Sequence, residues 1–130
     1  MNLKQTSAGI LVLLALSLYA MQGCNDNLTT TISEVSSPDG QWAAKAVDTV
    51  TGGPGNAGHY QSVLLRHLNS REEPTEVFGL DLNASTGSNL RTTWSEPTHL
   101  VISFDRRGST VFSHTEKFEG IDIETRDTSR

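Results

Sequence analysis

The sequence predicts an all-β fold, a small antiparallel sandwich or partly open barrel-like sheet of about six to eight strands over residues 32–126. Three observations carry this. Downstream of residue 31 no stretch repeats its apolar residues at helical spacing. Thr, Ser, Gly and β-branched residues punctuate every segment. Turn chemistry returns at short intervals, at Ser37-Pro38-Asp39-Gly40, Ser95-Glu96-Pro97 and Asp105-Arg106-Arg107-Gly108.

The first expected strand is short, Ser33-Glu34-Val35-Ser36. Pro38 presets a corner and Gly40 takes a positive-φ position, so the chain returns as a strand from Gln41 to Val50. Trp42, Ala44 and Ala46 share one face of it and Ala43 and Val47 the other, which suits a strand covered on both sides. Thr51 to Gly58 is a flexible loop by composition, with glycines at 52, 53, 55 and 58. Strands follow at His59 to Leu68 and Glu76 to Leu82, the latter with Phe78, Leu80 and Leu82 on one face. Asn83 to Asn89 is a second polar loop. Leu90 to Trp94 and Thr98 to Phe104 are strands on either side of Ser95-Glu96-Pro97. Asp105 to Gly108 is expected to be a hairpin turn, with Gly108 at its positive-φ position. Thr110 to His114 and Gly120 to Thr125 complete the sheet, and residues 127–130 form a polar tail. Trp42 and Trp94 each stand beside a turn, and core anchoring is their expected role.

Upstream the composition changes. Lys4 precedes an apolar run from Ala8 to Ala20, and Met21-Gln22-Gly23-Cys24 ends it with a small residue ahead of the one cysteine in the sequence. As a helix the run is roughly 20 Å long, short of the ~30 Å of a bilayer core and suited to the apolar region of a signal peptide. The next charge is Asp26. This segment resembles the bacterial lipoprotein signal peptide, whose lipobox ends in a small residue and then Cys. The resemblance implies cleavage before Cys24, diacylglycerol on the Cys24 thiol, and often a third acyl chain on the new amino group. Residues 1–23 are then a signal-peptide helix, and residues 24–31 a lipidated N-terminus and tether. Extended, Asn25 to Thr31 span about 23 Å.

Membrane attachment through covalent lipid is physically sufficient. Each buried CH₂ contributes about 0.8 kcal/mol and one acyl chain holds only marginally, so two or three on one residue make the attachment durable. A lone cysteine forms no internal disulfide, and a lipid cap removes a free thiol from an oxidising compartment. The expected address is the bacterial cell envelope. Asn25, in place of an Asp that would favour inner-membrane retention, leans toward the periplasmic side of an outer membrane where one exists.

Removing residues 1–23 leaves about 107 residues, the length of one domain. Lys4 goes with them, leaving nine basic residues against fifteen acidic ones. That balance argues against nucleic acid as a partner and against a polybasic membrane patch.

The chemistry-bearing residues are sparse. His59 and His67 fall on one face of one strand but about 27 Å apart, too far to share a metal. His99 and His114 flank the Asp105 turn without forming a closed ligand motif. Solvent-facing strand histidines are therefore expected, with no metal and no cofactor. No G-x-S-x-G, H-E-x-x-H or P-loop motif is present. The Gly52 to Gly58 loop leads into a strand, not into the helix start that a phosphate cradle needs.

Two stretches carry a further resemblance. Ser37-Pro38-Asp39-Gly40-Gln41-Trp42-Ala43 resembles the S-P-D-G hairpin of TolB-type β-propeller blades, and Trp94-Ser95-Glu96-Pro97-Thr98-His99-Leu100-Val101-Ile102-Ser103 resembles its W-S-P-D-G version. A propeller needs at least about four blades, and the length here provides for about two, which excludes a closed one-chain propeller. The order of S-P-D-G hairpin, Gly-rich loop, long strand and final Ile121-x-Ile123 strand is also similar to small exported bacterial domains of unknown function. It implies a compact β fold without an assigned activity. The function expected from the sequence is thus a non-enzymatic accessory or binding domain on a lipid anchor, with another envelope protein as partner through an edge strand or the Gly52 to Gly58 loop. The alternative is an envelope hydrolase or metal-binding protein built on the histidines.

Overall fold

The computed structural model describes residues 27–52, 57–82 and 88–130. Cys24, the signal segment and most of the loops at 52–58 and 83–89 lie outside the described residues. Among the described residues no helix is long and apolar enough to cross a membrane.

Nine strands follow in order: β1 (Asn27–Ser36), β2 (Trp42–Thr51), β3 (Gly58–His67), β4 (Thr75–Asp81), β5 (Arg91–Glu96), β6 (His99–Phe104), β7 (Thr110–His114), β8 (Lys117–Phe118) and β9 (Ile121–Asp127). They form a five-stranded sheet in the order β1-β2-β3-β4-β7 and a four-stranded sheet in the order β5-β6-β9-β8. The fold is all-β, an unclosed two-sheet sandwich, as the sequence predicts. The inner faces pack as the residue alternation dictates. Trp42, Ala44 and Ala46 of β2 meet Val63 and Leu65 of β3, Phe78 and Leu80 of β4, and Leu100 and Ile102 of β6 in one buried cluster. Phe78 and Phe104 join the two sheets with ring centroids 5.0 Å apart. Ala43 and Val47, on the other face of β2, are buried as well.

The Ser37-Pro38-Asp39-Gly40 turn shows why that sequence reverses the chain. Gly40 takes φ +69° and donates its N–H to the Ser37 carbonyl at 2.9 Å. The Ser37 hydroxyl donates to Asp39 at 2.6 Å and accepts from the Trp42 N–H at 3.0 Å. Asp39 also accepts from the Gln41 N–H at 3.2 Å. The hydrogen bonds from Ser37 and Gln41 hold the Asp39 carboxyl below its ordinary value.

Three features depart from expectation. Strand β1 begins at Asn27, so residues 27–31 are not tether. Thr29, Thr30 and Thr31 are β-branched, and their backbone pairs with Thr49, Asp48 and Val47 of β2; polarity here marks exposure, not lack of structure. Asp105 to Gly108 does not join a hairpin. It is a corner that carries the chain from β6 in one sheet to β7 in the other, with Gly108 at φ +68° as anticipated and Arg107 bound to Asp105 through its N–H and guanidinium. Finally, β6 and β9 are parallel. The chain crosses to β7 and returns as the two-residue β8. It then reverses at Glu119 and Gly120, both at positive φ, the geometry of a tight primed hairpin.

One corner of the sandwich is latched by Trp94, whose indole N–H on β5 donates to the Val35 carbonyl of β1 at 3.0 Å. Trp94 packs against the core and Trp42 lies within it, so both tryptophans are anchors.

Candidate functional site

The inner face of β3 reads His59, Gln61, Val63, Leu65, His67, and opposite them on β2 stand Val50, Asp48, Ala46, Ala44 and Trp42. Along β3 the middle of this row is apolar and its ends are polar. The last β3–β4 pair is Tyr60 with Asp81, whereas β2 and β3 continue to the pair Thr51 with Gly58.

At that end the side chains form one hydrogen-bonded chain. The buried Ser88 hydroxyl donates to the Gln61 carbonyl oxygen. The Gln61 amide donates to Asp48 Oδ1 at 2.9 Å, and His59 Nε2 meets the same oxygen at 2.8 Å. The network sets each orientation in turn. Ser88 can only place its proton on the amide oxygen, which turns the Gln61 NH₂ toward Asp48. His59 Nε2 faces the Asp48 carboxyl, and that contact sets the orientation of the ring. The imidazole is about one-third exposed, its side chain at 33%. The arrangement thus presents a carboxylate-oriented imidazole at the mouth of the sandwich. It does not present a nucleophile and base in contact, since the Ser88 hydroxyl is spent on an amide and not on an imidazole.

The other histidines are elsewhere. His67 stands edge-on to Trp42, centroids 4.8 Å apart, at the opposite end of the same row. His99 Nε2 lies 2.9 Å from Glu124 on the neighbouring β9. Arg126 first, and His99 second, hold the Glu124 carboxyl below its ordinary value. His114 is exposed on β7. The expectation of solvent-facing histidines therefore describes His114 alone, because inner-face parity carries His59 and His67 inward and His99 finds a carboxylate across the parallel pair. His99 and His114 belong to different sheets. Among the described residues no group of three His, Cys, Asp or Glu side chains could hold a metal ion.

The outer face of the five-stranded sheet carries a second feature. A bulge between Gly79 and Leu80 admits Phe112 of β7 as an extra residue. Its ring lies over Gly79, where any Cβ would come within 2.5 Å of it, and meets Tyr60 edge-on at 6.3 Å. Phe112 remains 54% exposed. Beside it the Ser62 hydroxyl donates to Glu76 at 3.0 Å.

Asp48, Gln61, Ser88 and Phe112 are not singled out by any motif in the sequence. The available signal is parity: Gln61 and His59 share a face with Val63 and Leu65, so polar side chains there had to find partners. Cys24, the one site residue the sequence nominates, lies outside the described residues. Compared with protein-family models, with curated proteins and with solved structures, the chain matches none.

Proposed function

We propose that this chain is a lipid-anchored envelope lipoprotein, a non-enzymatic accessory domain held by acyl chains on Cys24 that binds another envelope component. The observation that supports it best is how near Cys24 the sandwich is already formed. Strand β1 is in place at Asn27, three residues beyond Cys24, so a lipid on Cys24 would lie no more than about 10 Å of chain from the sandwich. The domain is then held against the surface, and the side chains around the start of β1 face it.

This placement sorts the contact surfaces. Gly52 and Gly58 lie beside Asn27, since Asn27 pairs with Thr51 and Thr51 with Gly58. The two described ends of the Gly52 to Gly58 loop are thus on the bilayer side. The outer sheet face with Phe112 and Tyr60 is the surface offered to a protein partner, as the exposed Phe112 beside the half-buried Tyr60 supplies large contact area at low entropic cost. Mass spectrometry of the mature amino terminus tests the anchor: diacylglycerol on Cys24 is expected, and an unmodified thiol overturns it. Cys24→Ala is expected to release the protein from the membrane fraction.

The alternative, a hydrolase or metal-binding protein, has one observation in its favour, the Asp48-held imidazole of His59. Zinc titration of the wild type and of His59→Ala separates the two. Stoichiometric binding lost in the variant supports the alternative.

A further inference from the structure

We propose that the end of the sandwich where β1 begins is a contact surface for anionic phospholipid, with Leu28 and Val50 entering the headgroup layer and arginines of the same end meeting the phosphates. This rests on the anchored reading of Cys24 and adds to it the orientation of the domain and the lipid class.

Two independent features point to this end. The first is apolar exposure. Leu28 and Val50 are cross-strand partners, 67% and 42% exposed, and Ile32 follows at the β1 bulge. Side chains so paired lie about 5 Å apart on one face and form a single patch. Residues 27–33 and 49–52 contain no charged side chain, only Thr, Ser, Asn, Gly and apolar residues, and Asp48, next on the same face, is held by His59 and Gln61. Such a tip loses little on leaving water for a headgroup layer.

The second is the distribution of charge. Arg91 pairs in register with Ser103, and Ser103 with Arg126. Arg106 donates its N–H to Asp127, Arg107 belongs to the same corner, and Arg130 ends the chain three residues later. The whole group is tied to the β1 end, since the Asp105 N–H donates to the Ser88 carbonyl and Ser88 donates to Gln61. Five arginines therefore gather there, against Asp48, Asp81, Asp105, Glu124 and Asp127. Arg107 and Arg126 pair with Asp105 and Glu124, Asp48 and Asp127 are hydrogen-bonded by Gln61 and Ser129 and Asp81 is not free either, so five charges of each sign leave this end formally neutral. The rest of the described domain holds four cations against nine carboxylates. An anionic bilayer repels that half and accepts the β1 end, and the lipid on Cys24 would hold the same end down.

The test uses the full-length lipoprotein reconstituted into vesicles, with an environment-sensitive fluorophore on Leu28→Cys or, at the opposite end of the fold, on Asn69→Cys. Both positions are exposed, so neither change disturbs the core. On phosphatidylglycerol vesicles the probe at 28 is expected to shift to the blue, to be quenched by lipid-borne quencher and to resist aqueous iodide. The probe at 69 is expected to do the reverse. Equal aqueous quenching at both positions overturns the contact. Arg91→Glu with Arg106→Glu is expected to reduce the shift at 28, and an identical shift on phosphatidylcholine overturns the anionic preference. Counting labelled thiols separates the two readings: one per chain if Cys24 is acylated, two if it is not. With two, the anchor fails by itself, and the contact is decided by adding phosphatidylglycerol vesicles to the free protein, where a silent probe at 28 overturns it.

Discussion

Ser88→Ala deletes one hydroxyl, yet its cost should exceed that of a surface hydrogen bond. Ser88 is 1% exposed and Gln61 nearly as buried, so water does not replace the lost donor without entering the sandwich. The Gln61 carbonyl oxygen is left buried and unsatisfied, a penalty of about 1–3 kcal/mol. Since Ser88 fixes which way the amide faces, the Gln61 bond to Asp48 and through it the seat of His59 loosen as well. In a domain of about 100 residues each kcal/mol lowers Tm by about 4–8 °C, so a fall of at least about 4 °C is expected in a thermal melt, with a matching loss in urea midpoint at constant slope. The double variant Ser88→Ala with Gln61→Leu removes both partners and should lose less than the sum of the two single changes, by about 1 kcal/mol of coupling. An unchanged midpoint for Ser88→Ala, or strict additivity in the cycle, would refute the idea that the chain acts as one network.

Three other outcomes follow from local geometry. Gly40→Ala meets no atom within 4 Å of the new Cβ but must hold φ +69°, so it should cost about 1–2 kcal/mol from backbone strain alone, read as a shift in urea midpoint. Trp94→Phe keeps an aromatic ring but loses the bond to the Val35 carbonyl and part of the indole's packing on the core; a loss of at least about 0.5–1.5 kcal/mol is expected, with faster amide exchange in β1 than in β4. Asp105 is held below its ordinary value of 3.8, first by its side-chain bond with Arg107. A depressed folded value means its contribution is present above 3.8 and lost as pH falls through the folded value. The stability gap between wild type and Asp105→Asn should therefore narrow as pH falls below 3.8.

Turn and core positions were legible in the sequence because their chemistry is local. Gly40 and Gly108 both take the positive φ that their turns demanded. Trp42, Phe78, Leu80 and Leu82 are buried as alternation implied. What could not be seen was pairing between distant segments. Asp105 to Gly108 has the chemistry of a hairpin turn, but turn chemistry sets only the local reversal, and which sheet the next strand joins depends on the remote partners of β4 and β9. Asn27 to Thr31 looked like linker because only Leu28 is apolar, and a strand that pairs on one edge and faces water on both faces carries little apolar signal. The Ser88–Gln61–Asp48–His59 chain joins residues up to forty positions apart, and no spacing rule encodes it.

Net charge illustrates the same limit in a way that bears on function. Fifteen acidic residues against ten basic argue, as a total, against contact with an anionic surface. A folded domain, however, presents its charges by position, and screening over about 8 Å at physiological salt means that a bilayer feels mainly the end that touches it. The antiparallel register brings the start of β1, the end of β2 and the start of β3 to one end, and the parallel β6–β9 pair delivers Arg126 and Arg130 to the same end as Arg106. Had β9 run antiparallel to β6, its C-terminal arginines would stand at the far end, with Glu72 and Glu73. The direction of one strand therefore decides whether the arginines gather beside Leu28 and Val50 or are divided between the two ends, which no count of residues reveals.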